Sequence, residues 1–263
     1  MNRAIFWRAV SLLLALTTVA GLAPAATEKR IFEETLEKIY PVQATAKFRL
    51  KNGDGSVWIY GADVSEMKVR AVKKSYRQDR LAQIAVNIVV RPDAITIDTD
   101  FPSKPKWGWA DRSGTVDYVI ILPWFCDIEK VQLDVGELFV EGMRGPRVNA
   151  ELGSGRMFGH NCFSNVRFSL GTGGLEVLYG WWEPHDIAVH AQIANGNSWI
   201  LIPAAAEFRL HAETRNGSVV TDFSDKRSPE NKAKLDLAVG EQPNAEMKIQ
   251  TMNGNITVRE INR

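Results

Sequence analysis

From about residue 42 onward apolar residues recur at every second position, in short runs interrupted by a glycine that Asn, Asp, Ser or Thr commonly precedes. With the turn glycine as anchor, the positions seven, five and three before it line up from one run to the next. Gly55 gives Phe48, Leu50 and Asn52; Gly155 gives Val148, Ala150 and Leu152; Gly173 gives Val166, Phe168 and Leu170. Gly196 gives Val189, Ala191 and Ile193; Gly217 gives Leu210, Ala212 and Thr214; Gly254 gives Met247, Ile249 and Thr251. Gly136 fits with an offset at Leu133 and Val135, which predicts a shorter or bulged unit. Two and four residues after the glycine the chain is again mostly apolar, as in Val57 and Ile59, Leu138 and Val140, or Ile256 and Val258. Alternation with period two on both sides means a strand, a corner and a second strand, each with one buried face. Gly and Asn suit a corner that needs positive φ.

Two architectures accommodate such a unit. Asn-Gly between alternating strands is a hairpin signal and leads to an antiparallel sandwich or barrel. The other is a β-solenoid in which each glycine marks the same corner of successive coils. The central glycines stand at 136, 155, 173, 196 and 217, intervals of 18 to 23 residues. Stacked coils need such a period, because equivalent residues must superpose to build one core, whereas hairpins do not. The pattern therefore favours an all-β, parallel solenoid with rungs of about 18–23 residues.

Residues 28–41 read as either a short amphipathic helix or an opening strand. Strands are expected over 67–73, 82–90, 94–99 and 115–122, forming an N-terminal sheet that caps the coil stack. A cap fits the need to shield an open strand edge. Residues 101–114 form a Pro/Gly-rich loop, and 224–245 a polar excursion between the last two rungs. The expected organisation is a leader at 1–25, N-terminal strands and the first rung at 26–123, and further rungs at 124–263, the last two parts being one continuous domain.

Three stretches, LKNGDGSVWIYGAD at residues 50–63, VDYVIILP at 116–123 and the run of glycine corners from DVGELFVEG to TMNGNITV, resemble the bacterial putative-adhesin family of β-strand-repeat envelope proteins, a domain of unknown function. The resemblance covers roughly residues 35–262. It implies a right-handed β-helix-like fold and an envelope location. The family has no established catalytic residues, so none is carried over.

The first 25 residues change the picture of location. Arg3 and Arg8, an apolar run from Ala9 to Leu22 and Ala23-Pro24-Ala25 have the form of a secretory signal peptide. The apolar run is short of the roughly 20 residues of a membrane span, and no cysteine follows it for lipid attachment. The expectation is an exported protein, periplasmic or secreted to the cell surface, without a membrane span after cleavage and not a lipoprotein. Its mature part carries 30 basic and 31 acidic side chains. The longest basic cluster, Lys68 to Arg80, alternates with apolar residues, so nucleic acid is not an expected partner.

Candidate chemistry is sparse. His190 and His211 both stand six residues before their glycines and point outward. On adjacent rungs they would lie about 4.8 Å apart, close enough to help bind a metal, although a solvated polar ladder accounts for the same pattern. Glu151, Ser169, Gln192, Glu213 and Gln250 share an outward column four before the glycines, with the two glutamates two rungs apart. That is no acid–base pair of the kind polysaccharide hydrolysis needs. GTGG at 171–174 lacks the lysine and helix of a phosphate loop. No catalytic constellation, cofactor or metal set is therefore expected. Seven tryptophans remain after residue 25. Trp107 and Trp109 in the Pro/Gly loop and Trp181 and Trp182 at a rung corner are the binding candidates, since aromatic faces stack on sugars or partner surfaces; closure of the solenoid's corners and ends is the plainer role. Cys126 and Cys162 occupy near-equivalent positions two rungs apart, about 9.6 Å, beyond the roughly 7 Å Cα limit of a disulfide. Both are expected as free, buried thiols.

Two functions fit these features. One is a non-enzymatic envelope or secreted protein, an adhesin or scaffold presenting flat faces to a partner. The other is a carbohydrate-binding or carbohydrate-active exported protein that uses the four tryptophans. The partner is accordingly an unknown envelope protein or a glycan.

Overall fold

The computed structural model describes residues 30–103, 114–223 and 233–261; the leader, Trp107 and Trp109 lie outside them. The described chain is all-β but for one five-residue helix. It runs through β1 (Phe32–Pro41), β2 (Lys47–Ala62), β3 (Glu66–Ser75), α1 (Gln78–Ala82), β4 (Ala85–Arg91), β5 (Ala94–Asp100) and β6 (Thr115–Pro123). The repeat region follows as β7 (Asp127–Glu141), β8 (Arg147–His160), β9 (Asn165–Leu178) and β10 (Ala188–Pro203). The last elements are β11 (Phe208–Asn216), β12 (Val219–Thr221), β13 (Lys234–Val239), β14 (Ala245–Asn253) and β15 (Ile256–Ile261). Of residues 28–41, which pattern alone left between helix and strand, Phe32–Pro41 form β1.

Five of the glycine corners, Gly55, Gly136, Gly155, Gly173 and Gly196, lie inside long strands, whereas Gly217 and Gly254 separate β11 from β12 and β14 from β15. In β2, β7, β8, β9 and β10 the residues before and after the glycine pair with parallel neighbours and not with each other, which excludes the hairpin alternative there. The halves before the glycine join in the order β4, β5, β2, β7, β8, β9, β10, β14, β11, β13. The halves after it join as β1, β3, β6, β2, β7, β8, β9, β10, β15, β12. The five long strands carry the chain from one run to the other, so all fifteen belong to one large mixed sheet that does not close on itself. Residues Ile31–Arg263 form one compact unit.

The register is set by the glycines. Gly55, Gly136, Gly155, Gly173 and Gly196 are direct ladder partners. At Gly173, φ is +139° and a Cβ would stand 1.8 Å from the Gly155 carbonyl oxygen; Gly155 stands in the same relation to Gly136. Only glycine allows both the conformation and that approach. Inside the bend the expected positions are buried: Val148, Ala150 and Met157 are at most 1% exposed, as are Val189, Ala191 and Ile200. Volumes alternate across the core. The Phe168 ring occupies the space a Cβ at Gly159 would need, 2.3 Å away. Where a polar side chain stands three before the glycine it finds a backbone partner: Asn52 donates to the Val116 carbonyl at 2.8 Å, and the Thr214 hydroxyl to that of Gly254, also at 2.8 Å.

The unit at Gly136 does carry a β-bulge, but not at Leu133 and Val135, which stay in register with Leu152 and Ser154; it lies earlier in the strand. Pairing of β7 shifts by one residue between Ile128 and Val131, leaving Glu129 facing Arg49 at 2.7 Å and Arg147 at 2.9 Å. The last rungs depart from chain order. β14 and β15 pair with β10, and β11 and β12 lie one place further out. The connection through β13, which pairs antiparallel on the outer edge of β11, carries the chain back to fill that place.

Candidate functional site

The inserted rung corrects the histidine expectation. Lys248 stands between His190 and His211 as ladder partner of both, and Arg167 flanks His190 on its other side. The two imidazoles are two ladder steps apart, roughly 9.6 Å. His211 is instead tied to carboxylates, with Nδ1 against Asp236 and Nε2 3.6 Å from Glu213. No group of three or more metal-ligating side chains occurs among the described residues.

The column of Glu151, Ser169, Gln192 and Gln250 forms one wall of an open groove of about 710 Å³ that crosses the strands just before the glycine corner. Gly153, Gly171 and Ala194 keep its middle shallow in side chains. The insertion of β14 leaves three positions between Glu151 and Glu213, and Glu151 pairs with Lys130 at 2.9 Å. The two glutamates are separated further than chain order implied.

A second surface escaped the sequence analysis, although the same alignment holds its signal. Three residues after the glycines stand Trp58, Phe139, Phe158, Glu176 and Trp199, which face outward as ladder neighbours. Trp58 and Trp199 are 39% and 41% exposed. Ring centroids are 6.1 Å apart from Trp58 to Phe139 and 6.2 Å from Phe139 to Phe158, and Tyr60 adds a ring 5.6 Å from Phe139. The indole of Trp199 reaches over Gly174.

The tryptophan corner separates its two members. Trp182 turns against the core, 5.5 Å from the Tyr179 ring and 6.3 Å from Phe208. It has the corner-closing role. Trp181 is 39% exposed. Its Nε1 donates to Glu183 Oε1 at 2.7 Å, and its ring lies 5.8 Å from Phe163. The Glu183 carboxylate also accepts two N–H groups of Arg144, each at 2.6 Å. That bidentate pair holds the Glu183 pKa down at about 2, and the carboxylate in turn raises that of Arg144. The guanidinium lies over Trp124 and Phe163, 5.6 and 5.3 Å from the ring centroids. In front of this assembly opens a cavity of about 370 Å³, bounded by Tyr60, Trp124, Glu141, Arg144, Asn161 and Trp181 and by the bare backbone of Gly61 and Gly142.

Cys126 and Cys162 are buried and unpaired by any disulfide, as the rung spacing required. Burial pushes both thiols up to about 12, which leaves them inert as nucleophiles. The Gly145 backbone sits against the Cys126 carbonyl, and the Cys162 thiol faces the carbonyls of Val140 and His160. Among the described residues no helix is long and apolar enough to cross a membrane.

No family model and no curated protein sequence matches the chain. Solved structures do. A putative cell adhesion protein from Clostridium sporogenes is 15% identical, with 87% of this chain and 100% of that one covered and a TM-score of 0.47. A putative adhesin from Bacteroides fragilis is 11% identical, covering 87% and 97%, with a TM-score of 0.29. A putative lipid binding protein from Parabacteroides distasonis is 11% identical, covering 88% and 97%, with a TM-score of 0.33.

Proposed function

We propose that this is an exported, non-enzymatic binding protein of the cell envelope or cell surface, an adhesin or scaffold whose coils wind as a right-handed β-solenoid and present flat faces to a partner. The observation that carries the reading is the outward run of ladder neighbours Trp58, Phe139 and Phe158, with Trp199 beyond Glu176 on the same row, on strands held in register by the glycine stack. Outward positions of a solvated sheet are ordinarily polar, and contiguous apolar exposure marks an interaction surface. The rigid ladder fixes the rings before contact, so little side-chain freedom is lost on binding. Cosedimentation with bacterial envelope fragments tests the proposal. The intact protein is expected in the pellet and the triple variant Trp58→Ser, Phe158→Ser, Trp199→Ser in the supernatant, with unchanged circular dichroism. Equal partition of the two proteins would overturn it.

A further inference from the structure

We infer that the cavity of about 370 Å³ at the Trp181 corner is a binding site for a neutral hexose unit of a glycan, an inference that deepens the binding-protein reading and rests on it. The groups around this cavity are already fixed in place before any ligand arrives. The indole of Trp181 is tied at its edge to Glu183, backed by Phe163, and still 39% exposed. Arg144 is clamped by the Glu183 carboxylate and by the rings of Trp124 and Phe163, and its backbone N–H donates to the Trp124 carbonyl at 2.7 Å. Two of its guanidinium N–H groups serve Glu183, so donors remain for a ligand.

Asn161 is the second preorganised group. It holds φ at +50°, a conformation that Asn tolerates better than most residues. Its backbone N–H donates to the Leu178 carbonyl, and its Oδ1 accepts from the Gly180 N–H, both at 2.7 Å. The side-chain amide nitrogen has no acceptor among the described residues, although the residue is only 8% exposed and lines the cavity. Glu141 supplies an acceptor, and its charge, after desolvation, helps raise the pKa of Tyr60 on the same wall. Gly61 and Gly142 leave backbone at the floor, where a Cβ on Gly61 would meet the Gly142 carbonyl at 2.5 Å.

This combination selects the ligand's chemistry. A pyranose offers an apolar C–H face for an indole and a rim of hydroxyls that both donate and accept, matching an aromatic platform ringed by an amide, a guanidinium and a carboxylate. An anionic ligand would find Arg144 already neutralised and Glu141 repelling it. An acyl chain would strip water from three polar groups and return no hydrogen bond.

Titration calorimetry or saturation-transfer NMR on the full chain, with methyl glycosides of glucose, galactose, mannose and N-acetylglucosamine, tests the site. Glucuronate and decanoate serve as the anionic and apolar probes. At least one neutral glycoside is expected to bind in the millimolar range, as one shallow hexose site allows. Trp181→Ala and, independently, Glu141→Gln are expected to weaken it more than tenfold, while the triple variant of the aromatic column leaves it unchanged. Failure of every neutral glycoside, tighter binding of glucuronate or decanoate, or binding that survives both cavity substitutions would overturn the inference. Should the glycosides fail while envelope cosedimentation persists and still depends on Trp58 and Trp199, the cavity inference falls and the binding-protein reading stands.

Discussion

Gly173 and Gly174 are neighbours in sequence and opposites in structure, and alanine at each gives a paired test of the glycine stack. At Gly173 an added Cβ would meet the Gly155 carbonyl oxygen at 1.8 Å and its carbon at 2.8 Å, with φ at +139°. The backbone strain alone is of order 1–3 kcal/mol. The clash adds to it, because a carbonyl in the ladder gives way only if two coils part, and overpacking of this kind costs about 1–3 kcal/mol more. A loss of about 2–6 kcal/mol is expected for Gly173→Ala, which for a chain of this size lowers the melting temperature by at least roughly 4 °C. At Gly174 φ is ordinary and the nearest atom to a Cβ is a Trp199 ring carbon at 3.4 Å, a normal contact. Gly174→Ala should therefore be neutral or gain about 0.4–1 kcal/mol from a less flexible unfolded chain. Urea titration followed by circular dichroism, with thermal melts alongside, reads both. Equal destabilisation of the two variants would refute the argument that carbonyl approach at this corner sets the register.

Other expectations are narrower. Cys126 and Cys162, with thiols pushed up to about 12, should stay unlabelled by a disulfide reagent in the folded protein at pH 8, and two thiols should react after unfolding without reductant; fast native labelling, or fewer than two thiols, would contradict it. Glu183 has its folded pKa depressed to about 2 from an ordinary 4.5, so its stabilising contribution is fully present above the ordinary value, declines as pH falls below it and is gone once pH has fallen through about 2. Carboxyl NMR, with the signal assigned by its absence in Glu183→Gln, should show no titration between pH 7 and 4, and a midpoint at 4 or higher would sink the reading. Asn253 sits mid-ladder, accepting from Asn216 at 2.7 Å and donating to Asn195 at 2.8 Å. Asn253→Ala should cost about 1 kcal/mol, at the low end for two exposed hydrogen bonds, and Asn216→Ala, which breaks one, about half as much. A larger effect at Asn216 would place the ladder's support elsewhere.

The inward-facing residues were readable because strands paired in register force one side-chain size and polarity onto each column. Leu152, Leu170 and Ile193 could be aligned without any structure for that reason; an irregular unit at Gly136 was legible too, although the bulge sits at Glu129 and not at Leu133 and Val135 where the alignment put it. Rung order was not readable. The columns of β11 and β14 satisfy the same inward pattern, so the alignment holds equally whichever of them meets β10, and the separation of His190 from His211 turned on that choice. The aromatic column was present in the alignment at the third position after each glycine, but period-two reasoning assigns alternate residues to water and passes over an apolar one there. Trp181 and Trp182 were legible as a pair; that one closes a corner while the other stays open depends on contacts with Tyr179, Phe208 and Phe163 from other coils. The asparagines of the Asn-Gly corners do more than tolerate a turn. Those at 195, 253 and 216 hydrogen-bond in a line from coil to coil, as do Asn197, Asn255 and Ser218 beside them.

The interposed coil also gives folding a choice that a simple stack lacks. β7 through β10 can be laid down one after another as the chain emerges, each new strand adding to the last. β11 is made next and carries the same inward pattern and the same Asn-Gly corner as β14, so it fits the free edge of β10 before its rightful neighbour exists. Native pairing requires that edge to remain open, or to be vacated, until β14 has arrived. Sequence likeness between strands, which makes the array regular, thus also creates its nearest competitor, and the native order, with β14 beside β10, is the one that order of arrival alone would not give.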